Sequence, residues 1–218
     1  EEAYEAAEAI DNDDPVLLKE ELGDVLMQVV FHADIESDAG RFTMDDVCDG
    51  VVKKLLFRHP HVFGDGHEES PESVLVSWEQ LKRREKGQNT VADSMDSVAR
   101  SLPSLWRAEK LQKKAAAAGF EWPDVQGALD KLGEEVAELR RAVENGGDVP
   151  DELGDVLFAA VKVGRFCGCD PEDAVNGTCE KFIHRFRAVE EGAAVRGREV
   201  SQLSLEEMTA LWNEAKRS

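Results

Sequence analysis

Residues 134–138 read EEVAE and residues 152–155 read ELGD. On a helix, Glu135 and Glu138 share a face at a spacing of three, and Glu134 adjoins Glu138 at a spacing of four. Glu152 and Asp155 repeat the spacing of three. Between them lies NGGDVP (145–150), a turn-forming stretch. Two helices joined by such a turn run antiparallel, and both acidic pairs can point into one cleft. Four converging carboxylates repel each other strongly. A hard divalent cation removes the conflict, and Mg²⁺ takes oxygen ligands of this kind. Lys181 and Arg185 are four apart in EKFIHR (180–185) and present a positive face that can hold a phosphate. A plainer reading is that Glu and Lys simply solvate helix surfaces. That reading leaves unexplained why the apolar residues around the acids recur elsewhere in the chain.

ELGDVL stands at 152–157 and also at 21–26. Around it, EEAYE (1–5) and KKLLFR (53–58) precede and follow in the same order as EEVAE and EKFIHR. Three blocks recurring in order mark an internal duplication. The first copy therefore carries its own acids, Glu2, Glu5, Glu21 and Asp24, and its own cations, Lys54 and Arg58. Asp49 stands where the second copy has Asn176, which adds an acid near a phosphate. Gly23 and Gly154 sit mid-helix between paired acids, at a cost of about 1 kcal/mol relative to Ala. Their retention predicts close approach to the backbone by another helix or by a ligand.

These acids need long helices to hold them, and the pattern is helical nearly throughout. Asp14 and Pro15 open a helix over 15–39, with Leu18, Leu22, Val25, Leu26 and Val29 at helical spacing. Further helices are expected over 44–57, 71–86 (Val74, Leu75, Trp78 and Leu81 on one face), 104–117, 124–145, 150–167, 171–191 and 204–216. Asp170 and Pro171 open the helix over 171–191 as Asp14 and Pro15 open the earlier one. FGDGHEESP (63–71) reads as a loop, and RHPHVF contains a helix-terminating turn rather than a histidine metal pair. No strand-like alternation of any length occurs. The expected fold is all-α, with two tandem helical bundles. Residues 1–87 form the first copy, 88–103 a poorly ordered linker, and 104–218 the second copy, expected to be the catalytic one. The chain opens at Glu1 without a Met, inside a helical pattern, and reads as a fragment whose first helix is missing.

Composition narrows the function. A net charge of -20 argues against a nucleic-acid surface, which needs clustered Lys and Arg. It leaves room for an anionic small substrate if a divalent metal bridges it to the carboxylates. No apolar run reaches the roughly 18 residues that span a bilayer, and no signal peptide is visible. Cys48, Cys167, Cys169 and Cys179 lack metal-finger spacing and read as reduced thiols of a cytoplasmic protein.

EExxE followed by ExxD resembles the signature of the MazG family of nucleoside triphosphate pyrophosphohydrolases. GRFTMDDVCD…RHPHVF, SWEQLK, RSLPSLWRAEKLQKKAAAAGFEW and LWNEAK extend the resemblance to the two-domain bacterial form over essentially the whole chain. The resemblance implies a homodimeric all-α NTP pyrophosphatase that uses Mg²⁺ to cleave between the α and β phosphates, releasing monophosphate and pyrophosphate. It implies a role in clearing the nucleotide pool. Carried over by motif, Glu135, Glu138, Glu152 and Asp155 are the metal ligands, and Lys131 and Glu134 lie along the substrate. Asp148 and Asp151 sit near the nucleoside, Lys181 and Arg185 hold phosphates, and Trp212 meets the nucleotide. Glu134 is our candidate general base, because it flanks the ligand set without a required place in it. Without the resemblance, Trp212 on a terminal amphipathic helix reads as core or dimer packing. The first copy, with Glu2, Glu5, Glu21, Asp24, Lys54 and Arg58, is expected to be the weaker site.

Other classes fit less well. EELG (20–23) matches part of the Nudix signature, but Val16 and Leu17 stand where its Arg-Glu pair belongs, and that fold needs a sheet. No Glu is followed three residues later by His, as a ferritin-like di-iron bundle requires, and no P-loop is present. The non-catalytic alternative is an acidic dimerisation or regulatory module that binds metal or nucleotide without hydrolysis.

Overall fold

The structure, a computed structural model, describes residues 1–63 and 87–216. The loop expected over 63–71 (Phe63 apart), the helix over 71–86 and the motif SWEQLK lie outside those residues. All regular structure in the described residues is helical. The chain divides into two compact units, Glu1–Gly87 and Gln88–Ser218.

The first unit holds α1 (Glu2–Asp11), α2 (Pro15–Asp38), α3 (Met44–Arg58) and the single turn α4 (Pro60–Phe63). Asp14 caps α2 by accepting from the amides of Val16 and Leu17, and Pro15 occupies the first turn. Thr43 and Asp46 form a reciprocal capping box on α3. Helix α3 ends at His59, whose Nδ1 donates to the Leu55 carbonyl, so this turn terminates a helix as expected. Helices α1 and α2 pack through small residues, with Ala6, Ala9 and Ala33 buried.

The second unit begins with α5 (Val91–Asp96), followed by α6 (Ser104–Ala117), α7 (Val125–Asn145), α8 (Val149–Phe166), α9 (Pro171–Val195), a 3₁₀ turn (Val200–Gln202) and α10 (Leu205–Ala215). Residues 88–103, expected to form a loose linker, belong to this unit. Thr90 and Asp93 form a capping box on α5, Ser94 is fully buried, and Lys114 Nζ of α6 lies 2.6 Å from Ser94 Oγ. A capped turn and a buried hydroxyl tie the segment to α6.

Helices α7 and α8 form the hairpin that carries the acids. Gly146 ends α7 at φ +75°, a left-handed conformation that costs glycine nothing. A Cβ on Gly147 would sit 3.1 Å from Ala142, so the turn closes tightly on α7. Asp148 caps α8 by accepting from the Asp151 amide at 3.3 Å. Helix α6 packs on the other side of α8, where Gln112 Nε2 donates to the Phe158 carbonyl at 2.8 Å. In the α6–α7 loop, Glu121 pairs with Lys162 at 2.8 Å and with Arg165, both on α8. Trp122 covers the Lys162 ammonium at 5.1 Å and lies flush on Gly127, where a Cβ would collide with the indole. Trp106 of α6 donates from its indole nitrogen to Asp170 at 2.9 Å, fixing the start of α9.

Helices α9 and α10 share an apolar cluster of Val189, Ala193, Leu203 and Leu211, with Trp212 packed against it. Gly192 lets Leu211 approach, since a Cβ there would lie 2.5 Å from a Leu211 methyl. Truncating Leu211 leaves a cavity that this close contact cannot collapse without moving α10. Leu211→Ala is therefore expected to destabilise the second unit by about 2–5 kcal/mol, read as a lower urea midpoint for the transition that melts α9 and α10.

Candidate functional site

The α7–α8 hairpin places Glu135, Glu138 and Glu152 so that one carboxylate oxygen from each lies within 4.8 Å of the others. Glu135 is buried at 6% exposure, while Glu138 and Glu152 are half-buried. Lys131, one turn before Glu135, lies 2.6 Å from Glu135 Oε1 and 3.1 Å from Glu134 Oε2. Those two carboxylates hold the Lys131 ammonium well above the usual lysine range. The second oxygen of Glu135, Oε2, is buried with no hydrogen-bond partner among the described residues. A buried anionic oxygen without a partner costs several kcal/mol unless something positive meets it. Arg141 Nη2 donates to Glu138 Oε1 at 3.1 Å.

Burial pushes the Glu152 carboxyl up, and the charges of Glu138, Asp155, Asp151 and Glu135 push it further. Asp155 sits one turn along α8, exposed and outside the tight trio, so it acts on Glu152 from a distance. Glu134 is exposed and faces Lys131. Gly154 has no described protein atom within 4 Å of where its Cβ would be, and the same is true of Gly23. Among the described residues, therefore, no other helix packs closely on either glycine, the first of the two expected explanations.

Lys181 is exposed on α9 and makes no ion pair among the described residues. Arg185 lies over the Trp212 ring at 5.7 Å, and Phe182 meets the same ring at 5.0 Å. Trp212 is thus at once part of the α9–α10 packing and a platform for a cation. The charges that perturb Glu152 all belong to α7 and α8.

The first copy repeats the acidic plan with different support. Burial, then the charges of Glu5, Asp24, Glu20 and Glu2, push the Glu21 carboxyl up. Glu2, the counterpart of Glu135, accepts from Gln28 Nε2 of α2 at 3.1 Å, and its carboxyl is held low by its own backbone amide and by that amide donor. Lys54 is exposed on α3, with Arg58 at the end of that helix. Asp49 pairs with Lys53 one turn away. All four cysteines are free and exposed.

Two features escaped the sequence. Arg141 was visible as the third residue after Glu138, a spacing that brings side chains together, but it lies outside the repeated blocks. The Glu121–Lys162–Arg165 cluster joins positions some forty residues apart, which no local pattern reveals.

An all-α hairpin that gathers one buried and two half-buried carboxylates offers hard oxygen donors of the kind a divalent cation takes. A family model described as the MazG nucleotide pyrophosphohydrolase domain matches residues 1–63 and again 125–189. The nucleoside triphosphate pyrophosphohydrolase of Escherichia coli K12 is 42% identical over 221 residues, covering 100% of this chain and 84% of the relative. The Thermotoga maritima nucleoside triphosphate pyrophosphohydrolase/pyrophosphatase MazG is 40% identical over 216 residues, covering 99% and 82%. The uncharacterized protein YabN of Bacillus subtilis is 47% identical over 222 residues, covering this whole chain but 45% of that protein. The chain belongs to the MazG family of nucleotide pyrophosphohydrolases, with its domain present twice.

Burial of Glu152, reinforced by the neighbouring acids, sets a pH dependence. The folded carboxyl lies above its unfolded value, so its contribution to stability is full at pH below the unfolded value and is lost as pH rises through the folded one. Metal-free Glu152→Gln is expected to melt above the wild type near neutral pH. The difference should vanish on acidification to about pH 4, and Mg²⁺ should stabilise the wild type but not the variant. Thermal melts with and without the cation check both.

Proposed function

We propose that the chain is a Mg²⁺-dependent nucleoside triphosphate pyrophosphohydrolase working from its second copy. Water attacks the α-phosphorus of an NTP or dNTP, the α–β bond breaks, and monophosphate and pyrophosphate leave. The observation that carries this reading is the convergence of Glu135, Glu138 and Glu152, beside the buried Oε2 of Glu135 that has no hydrogen-bond partner among the described residues. Three hard carboxylate donors, one of them with an orphaned oxygen, fit Mg²⁺, whose charge would offset that of the phosphate oxygens. Glu135, Glu138 and Glu152 hold the cation, with Asp155 one turn away as a fourth donor.

The remaining roles fall to the chain's own groups. Glu134, exposed beside Lys131, takes the proton of the attacking water. Lys131 ties that base to Glu135, so the base and one ligand share a single positioned ammonium. Lys181 and Arg185 hold phosphate oxygens, Trp212 meets the nucleotide, and Asp148 and Asp151 at the start of α8 border the nucleoside. In the first copy, Glu2, Glu5, Glu21, Asp24, Lys54 and Arg58 form a weaker site. Exposed apolar side chains on α8 and α9, including Leu157, Phe158, Phe182 and Ile183, support a homodimer. No helix among the described residues is long and apolar enough to cross a membrane, and a net charge of -20 disfavours nucleic acid. These features suit a cytoplasmic enzyme that clears unwanted triphosphates.

Product analysis tests the reaction. With each common NTP and dNTP plus Mg²⁺, monophosphate and pyrophosphate are expected in equal amounts. Diphosphate and orthophosphate, or no turnover despite nucleotide binding, would contradict it. Glu134→Gln should cut turnover by about 10²–10⁴-fold while leaving Mg²⁺ affinity intact; loss of both would remove Glu134 as the base.

A further inference from the structure

Beside the acidic trio, at the α7–α8 turn, lies an open cleft of about 330 Å³. Glu138, Arg141 and Asn145 line it from α7, and Gly147, Asp148 and Glu152 line it from the turn and α8. Arg141 is the one cation among its lining residues. Its guanidinium donates to Glu138 Oε1 at 3.1 Å, and Glu138 is one of the three carboxylates that converge. The only other side-chain contact of Arg141 among the described residues is a long hydrogen bond from Nε to the Ala137 carbonyl at 3.4 Å, and the side chain is exposed, so little holds it from swinging between Glu138 and the cleft. An exposed ion pair of this kind is worth about 0.2–1 kcal/mol, little enough to exchange.

We propose that Arg141 is a displaceable counter-ion: it neutralises Glu138 in the metal-free site and passes to a phosphate oxygen of the substrate once a divalent cation takes Glu138. This deepens the functional reading above and rests on it. The geometry carries the exchange. A phosphate held by a cation at Glu138 would lie beside that carboxylate, within reach of a guanidinium already hydrogen-bonded to it. Arginine presents several donors in a fixed fork and binds carboxylate and phosphate alike, so the same group serves both partners. Lys131 differs, because two carboxylates including the buried Glu135 hold it in place. Arg141 has one carboxylate partner and an open cleft next to it.

The exchange predicts effects of opposite sign from one substitution. Removing the guanidinium frees Glu138 for the cation but deprives the substrate of a donor. In Arg141→Gln, calorimetric titration of Mg²⁺ without nucleotide should show affinity about two- to fivefold tighter than wild type. In the same variant KM for the nucleotide should rise about tenfold with kcat little changed. Arg141→Lys, which keeps the charge but loses the fork, should leave Mg²⁺ affinity near wild type and raise KM by less. Weaker Mg²⁺ binding with an unchanged KM would mean that Arg141 only orients Glu138, and would overturn the exchange. Unchanged values for both would overturn it as well, while leaving the pyrophosphohydrolase reading intact. Failure of the wild-type chain to take up Mg²⁺ or turn over nucleotide would instead bring down that reading, and this proposal with it.

Discussion

Like charges forced together at one hairpin govern this structure. Three glutamates from two antiparallel helices bring their oxygens within 4.8 Å, and a fourth acid stands one turn away. Isolated in a half-buried setting, such a group is unstable. The surrounding protein offsets part of the repulsion. Lys131 pairs with both Glu135 and Glu134 and offsets one of their two charges, and Arg141 pairs with Glu138. Among the described residues Glu152 pairs with no cation, burial and the neighbouring acids raise its carboxyl, and Glu135 keeps one oxygen unmatched. The cluster is thus partly compensated, in a way that suits a divalent guest and disfavours an empty site.

Much of the second unit keeps those charges in place. Gly146 and Gly147 let α7 and α8 turn back without spreading, and Asp148 caps the helix that bears Glu152. On the far side of α8, Glu121 binds Lys162 and Arg165 while Trp122 covers the ammonium. Lys162 is nearly buried, and burial pulls its ammonium down from the usual lysine range. Losing Glu121 would leave two cations there without their carboxylate. Gln112 adds a hydrogen bond to the α8 backbone at Phe158. Helix α8 is therefore fixed at its start by the cap and along its length by polar contacts that tolerate little shift. The two copies show how the same plan can be supported differently. The leading glutamate is held by a lysine of its own helix in the second copy, and by the neutral Gln28 of the partner helix in the first.

The acids were legible because helical spacing is a local property. EExxE and ExxD place side chains on one face whatever the tertiary context, and NGGDVP announces the reversal that brings the faces together. Helix starts were equally readable at Asp14-Pro15 and Asp170-Pro171, where a side-chain acceptor and a preset φ coincide. Spacing could not tell that Asp155 would stand outside the tight trio, because that depends on the crossing of two helices. Nor could it place Arg185 over Trp212, which needs α9 and α10 to be packed together. Helix α5 was missed although T-x-x-D at 90–93 is a capping signature; its six residues carry too little periodicity to stand out. Gly154 suggested close approach by a helix or a ligand, and among the described residues no helix approaches it.

The proposed activity depends on these carboxylates forming a divalent-cation centre in the second copy. Calorimetric titration of Mg²⁺ into the nucleotide-free chain tests it most directly, with wild type set against Glu135→Gln and Glu2→Gln. Saturable binding that Glu135→Gln weakens by about tenfold or more, and that Glu2→Gln largely preserves, is the predicted result. Binding indifferent to Glu135→Gln, or abolished by Glu2→Gln alone, would contradict the account.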